Sequence, residues 1–352
     1  MKAPFPYFGG KAPIANLVWE AFGQPDHYIE PFFGSGAVLL ARPQYDPLLH
    51  TETICDSDGY IANVWRALQF NPDEVARWCD WPVNHADLSA RKTRLIENKQ
   101  RLLDGLIADP EWFDAKLAGY WIWAASCWIG SGMTSIGQRP NLSCKGTGVH
   151  AIGQRPHLID KGTGVHAIGQ RPQVIDKGRG VHAIGKRPQV IEENHNVQDP
   201  YNTNIYKYFR ELSERLRYVR VVCGDWSRVC GGNWQNNLGT VGMYFDPPYA
   251  VTDRRNVYDV DSNTVAHAVR NWVIERGANK AYRIVLSGYE EHQTELSAAG
   301  WAMRKWKTSG GYANITRSQN KSRGKINRIR EVVYFSPYCL NKDLFKDLFS
   351  DS

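Results

Sequence analysis

The sequence predicts an α/β fold: one doubly wound sheet, interrupted in mid-chain by an insertion that is helical first and β-repetitive after. Three observations predict it. β-type runs alternate with helical ones in both outer parts of the chain. A stretch of 16-residue repeats breaks that alternation. Acids stand at the ends of the apolar runs, just before glycine or proline turns, where a doubly wound sheet binds its ligands.

Residues 28–40, "YIEPFFGSGAVLL", read as a strand, a glycine turn and a helix start, and "TETICDSD" (51–58) ends a second strand. From about 60 to 130 the periodicity is helical, with "DGYIANVWRALQ" and the Trp-rich "LAGYWIWAASCWIG" as amphipathic or buried helices. From about 215 onward β-type runs return as "YVRVVCGD", "VGMYFDPPY", "RIVLSGYE" and "REVVYFSPY". The helix-like "SNTVAHAVRNWVIERG" (262–277) separates two of them. Strand–helix–strand order on both sides of a differently patterned middle implies one sheet that the insertion splits.

The insertion carries an internal repeat. "GQRPNLSCKGTGVHAI" begins at Gly137, "GQRPHLIDKGTGVHAI" at Gly153 and "GQRPQVIDKGRGVHAI" at Gly169, with a truncated copy, "GKRPQVIE", from Gly185. Short β-type runs (VHAI; HLID or QVID) alternate with turns bearing Gly or Pro, so hairpin-like or stacked β units are expected. Between Gly137 and Ile191 nine Lys or Arg face two Asp, so this segment holds the whole formal charge of +7. Concentrated positive charge on a near-neutral body suits a polyanion. The candidate DNA contacts are Arg139, Lys145, Arg155, Lys161, Arg171, Lys177, Arg179 and Arg187, joined by Lys321, Arg323 and Lys325 of a second basic stretch. A structural β array or a solvated basic face would look similar.

The bulk properties narrow the class. With 352 residues, 42% hydrophobic and 22% charged, the chain has a globular composition. No apolar run is long enough to span a bilayer, and "MKAPFPYFGG" lacks a signal-peptide core. Seven cysteines are scattered without a CxxC pair, so a reduced, cytoplasmic protein without structural zinc is expected, and no metal site. The repeat histidines (150, 157, 166, 182) are assigned to β packing and the tryptophans of 112–128 to helix core.

Three strand-end acids define a candidate ligand site. Glu30 precedes the glycine turn, which lacks GxGxxG spacing and a Walker lysine. Asp56 follows some twenty residues on, suited to ribose hydroxyls, with Asp58 a competitor for that role. Asp225 and Trp226 end "VVCGDW" and could hold an adenine ring. Together they suit an adenosine-bearing ligand. In "DPPY", both Asp246 and Pro247 precede a proline and are driven to extended conformations. The stiff turn offers the Asp246 carboxylate and a carbonyl, most naturally that of Pro247, to an amino group with two N–H bonds. Such acceptors favour a pyramidal nitrogen and stabilise the charge that grows on methyl transfer. Tyr249 is placed to stack on the base.

"FPYFGGK" (5–11), "EPFFGSGAV" (30–38), "CDSD" (55–58) and "DPPY" (246–249), in this order, resemble the Dam-type, D12 class DNA adenine-N6 methyltransferases. The resemblance covers about 1–70 and 205–340. It implies a Rossmann-like methyltransferase sheet using S-adenosylmethionine, with the cofactor motif first, a target-recognition insertion over 71–204, and the catalytic motif last; 341–352 is a tail. It further implies that Tyr7, Phe8, Gly10 and Lys11 border the cofactor, with Phe32, Gly34 and Gly36 at its methionine end and Asp56 at the ribose. Asp246, Pro247, Pro248 and Tyr249 would form the base pocket beside the sulfonium. The expected partner is double-stranded DNA with the adenine flipped out, without a membrane or an obligatory protein partner. No RxNxxGxFNxPFG stretch occurs in 71–200, so GATC specificity does not transfer; "WIGSGM" and the "RPxxxxxGxGVH" pieces are similar to insertions of phage and prophage relatives. RNA adenine or DNA cytosine-N4 methylation, and non-catalytic DNA binding on this scaffold, stay open as alternatives.

Overall fold

The computed structural model describes residues 1–5, 7, 10–128, 133–134, 156–158, 165–167, 172–174, 181–183, 204–232, 239–248, 263–289, 293–306 and 331–341. After a 3-10 turn at Ala12–Ile14, the chain forms α1 (Ala15–Phe22), β1 (His27–Glu30), α2 (Ala37–Leu40) and β2 (Thr51–Asp56). Five helices follow: α3 (Gly59–Phe70), α4 (Pro72–Cys79), α5 (His85–Glu97), α6 (Lys99–Ala108) and α7 (Ala115–Cys127). Next come the short strands β3 (Pro156–Leu158), β4 (Val165–Ala167), β5 (Pro172–Val174) and β6 (Val181–Ala183), then α8 (Asn204–Leu216). The last part contains β7 (Val219–Cys223), α9 (Ser227–Cys230), β8 (Val241–Phe245) and α10 (Asn263–Arg276). It closes with β9 (Tyr282–Tyr289), α11 (Gln293–Ala298), β10 (Ala302–Lys305) and β11 (Glu331–Phe335). No helix among the described residues is long and apolar enough to cross a membrane.

Two compact units result. One comprises Phe8–Asp58 and Tyr218–Ser352 and holds a seven-stranded sheet in the order β10-β11-β9-β8-β1-β2-β7. The run from β7 to β9 is parallel throughout, and β11 is antiparallel to both its neighbours. β1 pairs with β2 on one side and with β8 on the other, so the chain order reverses between β1 and β8. That reversal is the topological switch point of a doubly wound sheet, and the crevice it opens lies beyond the C-terminal ends of the strands.

Each face of the sheet buries a different set of side chains, because successive residues alternate. Ile29, Met243, Phe245, Ile284 and Leu286 share one cluster with Val229 of α9, Val269 and Val273 of α10 and Leu296 of α11. On the other face α1 packs through Trp19 and Phe22, whose rings meet Tyr28 at 4.9 and 6.0 Å. Gly242 permits this: a Cβ there would stand 3.2 Å from the Phe22 ring. The Trp19 indole N–H donates to the Val38 carbonyl (2.7 Å) and ties α1 to α2.

The other unit comprises Met1–Tyr7 and Gly59–Arg217. α4, α5 and α7 start where the sequence supplies caps: the Asn71, Asn84 and Asp114 side chains accept from the backbone N–H of Glu74, Asp87 and Leu117. The helical periodicity over 60–130 is matched by α3 to α7. Trp121 and Trp123 are buried in α7 and Trp128 is buried just past its end, whereas Trp112 is half-buried in the connection between α6 and α7 and is not helix core. Phe5 packs edge-on to Trp121 at 4.9 Å. Arg91 lies over the Tyr120 and Trp123 rings at 4.5 and 4.3 Å and donates to the Trp78 carbonyl (2.9 Å). Within the repeats β3 pairs antiparallel with β4, and β5 with β6, each joining an HLID or QVID run to the next VHAI run.

Candidate active site

All four acids singled out in the sequence stand at C-terminal strand ends in the sheet unit. Glu30 closes β1, Asp56 closes β2, Asp225 lies two residues beyond β7, and Asp246 directly follows β8. Glu30 and Asp246 flank the switch point.

The glycine turn is held against β2. Phe33 N–H donates to the Cys55 carbonyl (3.0 Å) and Gly36 N–H to the Phe33 carbonyl (2.9 Å). Gly34 and Gly36 have φ of +49° and +65°, left-handed values that a side chain would strain. The Asp56 carboxylate fastens the turn: Oδ2 accepts from Gly34 N–H (2.8 Å) and Oδ1 from Asp58 N–H (2.9 Å). Burial raises its pKa to about 6, although both N–H groups favour the charged form. Asp56 is thus already an anchor of the loop, and each of its oxygens keeps one further acceptor position.

Glu30 is buried beneath α2. Its Oε2 accepts from the Tyr28 hydroxyl (2.7 Å), and the Leu39 backbone N–H also donates to it. Burial, with the Asp246 charge adding to it, pushes its pKa well above the usual carboxylate range. Asp225 is exposed, and its Oδ1 accepts from the backbone N–H (2.9 Å) and hydroxyl (2.5 Å) of Ser227 at the start of α9. Trp226 packs edge-on to Phe245 (6.4 Å) and Trp272 (6.0 Å), and Phe32 approaches Phe245 at 6.4 Å. An aromatic wall therefore lies on the α9–α10 side of the crevice. Trp272 was not singled out in the sequence because it reads there as one apolar position of a helix.

Lys11 begins the 3-10 turn, its carbonyl accepting from Ile14 N–H (3.1 Å). Its Nζ lies 2.8 Å from Asp246 Oδ2, with both side chains largely buried. Two further polar groups share this face. The Tyr244 hydroxyl hydrogen-bonds Ser287 Oγ at 2.7 Å. Glu331 feels Lys11 and Asp246, and burial raises its pKa to about 7. Nothing in "REVVYF" marks that acid as part of a site; only the strand order brings β11 there.

The remaining site expectations divide simply. Pro247 is buried and Pro248 half-buried directly after Asp246; Gly10 is exposed. Tyr7 belongs to the helical unit and meets Phe5 edge-on at 6.2 Å. Phe8, Tyr249 and all eleven basic residues named as DNA contacts lie outside the described residues.

Residues 7–100 match the family model of D12 class N6 adenine-specific DNA methyltransferases, which points to N6-adenine methylation of DNA. No curated protein matches the chain.

Proposed function

We propose that this chain transfers a methyl group from S-adenosylmethionine to the N6 amine of adenine in DNA. The observation that carries the reading is the placement of Asp246, with its two prolines, at the switch point of a doubly wound sheet whose N-terminal part matches the D12 class.

The residues present fit the cofactor. A glycine turn with two left-handed glycines permits close backbone approach, Asp225 offers an exposed acceptor, and Phe32, Trp226 and Trp272 offer ring surface for a purine. Asp56 holds the turn and has acceptor positions left for hydroxyls. When bound, the sulfonium supplies an electrophilic methyl group, so the chain needs no covalent intermediate of its own.

What the chain contributes is grip and charge. Asp246 and the Pro247 carbonyl accept the two amine hydrogens, which localises the nitrogen lone pair toward the methyl. Prolines fix both acceptors, so little reorganisation is needed during transfer. The amine lies within a duplex, so the adenine must leave the stack to reach this crevice. Tyr249 stacks on the flipped base, and the helical unit with its cationic repeats (137–191) recognises and retains DNA. The lack of a GATC-reading stretch and the phage-like pieces suit a different or relaxed target.

Incubation of the purified protein with labelled S-adenosylmethionine and plasmid DNA, then nucleoside mass spectrometry, tests this. The expected product is N6-methyladenine, absent for Asp246→Ala. N4-methylcytosine, methylation of RNA alone, or no incorporation would each replace the reading.

A further inference from the structure

One buried acid on the Asp246 face has no task in the chemistry above. Glu331 opens β11, which runs antiparallel to β9 with Val333 opposite Ser287 and Glu331 opposite Tyr289. Tyr244 of β8 stands opposite Val285, so Asp246, Ser287 and Glu331 fall on one face of the sheet. Glu331 Oε2 is buried and, among the described residues, accepts no hydrogen bond. Among the described residues, the charges that bear on it are the Lys11 ammonium and the Asp246 carboxylate. Glu30 bears on Asp246 from β1, and Arg304 of β10 stands opposite Val333 on the Glu331 face.

A buried oxygen without a donor is costly, so it calls for a reason. Lys11 supplies one. It sits 2.8 Å from Asp246 Oδ2, an acceptor an incoming amine needs. A lysine that stayed there would hold positive charge beside a nitrogen that is itself becoming positive. It needs a second seat, close by and anionic.

We infer that Glu331 is that seat: when an amine takes Asp246, the Lys11 ammonium passes its hydrogen bond to Glu331 Oε2. The inference rests on Asp246 as the amine acceptor. No covalent bond changes and the net charge of the pocket is conserved, so the exchange uncovers Asp246 without stranding a buried cation. Glu331 acts through Lys11 and is a positioning residue.

The Lys11 ammonium can be followed directly by NMR of protein carrying 15N-lysine, its signal assigned by loss in Lys11→Arg. A slowly exchanging ammonium signal is expected in the wild type and in Asp246→Asn, where Glu331 takes over. It is expected to vanish in Asp246→Asn/Glu331→Gln. Loss of the signal in Asp246→Asn alone, or its survival in the double variant, overturns the inference. This measurement needs no turnover, so it stands apart from any failure of the proposed reaction. In single-turnover assays Glu331→Gln should slow transfer about tenfold while cofactor and DNA affinities stay within about twofold, and Glu331→Asp should recover part of the rate. An unchanged rate in Glu331→Gln also overturns it.

Discussion

Lys11 and Asp246 form an ion pair of 2.8 Å, with side chains 7% and 21% exposed, between the residue that starts the first turn and the residue directly after β8. A cation so close keeps the Asp246 carboxylate in place before substrate arrives. It also occupies the acid that the amine must reach, so the pair is at once an organiser and a cover.

The pair predicts an asymmetry in stability. Breaking a buried ion pair costs about 3–5 kcal/mol when the remaining charge is left alone. Lys11→Met leaves Asp246 and Glu331 near each other without their cation, so the loss should approach the lower end of that range. Asp246→Asn should cost only about 1–2 kcal/mol, because Lys11 has Glu331 to turn to. Urea unfolding of the two single variants measures the difference; equal losses would contradict it.

Asp56 is expected to matter through the loop it fastens. Asp56→Ala leaves the N–H groups of Gly34 and Asp58 without their acceptor, at about 1–3 kcal/mol. The glycine turn then loosens, and titration calorimetry should show S-adenosylmethionine affinity falling by roughly tenfold or more, since 1.4 kcal/mol is tenfold in binding. Affinity within twofold of wild type would place the cofactor elsewhere.

In the helical unit Gly119 lets α7 lie against α4. A Cβ there would come within 2.5 Å of Trp78 Cβ and 2.8 Å of the Val75 carbonyl oxygen, both fixed atoms. Alanine is the better helix former by about 1 kcal/mol, yet Gly119→Ala should destabilise by about 2 kcal/mol, because overpacking outweighs propensity. Thermal unfolding decides the sign.

The contribution of Glu331 to stability should fall as the solution is made more basic between roughly pH 4.5 and 7, while His27, lowered by burial to about 4, acts in the opposite direction over much of that range. Burial raises the folded-state pKa of Glu331 from 4.5 to about 7, so the native state keeps a proton that the unfolded chain has released. Its neutral form is therefore tolerated fully below the unfolded pKa, and the penalty is complete above the folded one. Asp56, raised to about 6, acts in the same direction. Glu331→Gln should flatten the decline by about 2 kcal/mol, measured by denaturant unfolding across that range. A slope equal to wild type would remove Glu331 from the account.

If the repeat cations meet phosphates, they set the salt dependence of DNA binding. Neutralising Arg139, Arg155 and Arg171 together should reduce the slope of log affinity against log salt by about 2–3, one unit for each lost phosphate contact. An unchanged slope would make the array structural.

The sheet was largely legible because its strands are local patterns. "TETICD", "VRVVC" and "VGMYF" are rich in β-branched or apolar residues and end in acids or turns, and each forms the strand it suggests. β10 was not legible: "AMRK" carries two cations and lies partly exposed at the edge of the sheet, so it has neither hydrophobic alternation nor a buried face to signal it. α9 and α11, of four and six residues, are too short for a helical period to appear. Among site residues, Glu30, Asp56, Asp225 and Asp246 could be found because each follows an apolar run. Glu331 and Trp272 could not, since an acid opening a strand and a tryptophan in a helix are unremarkable locally.

The amino-acid order by itself determined the strand ends, the glycine turn, the proline-stiffened acid after β8 and the helical middle. Each depends on backbone preferences that act over a few residues. Only the tertiary structure decided that Lys11 faces Asp246, that Asp56 spends its oxygens on the glycine turn, and that Glu331 joins them from a strand some 85 residues further along. Those pairings depend on which strands lie side by side. Strand order is fixed by burial of whole sheet faces, and no single stretch of sequence contains it.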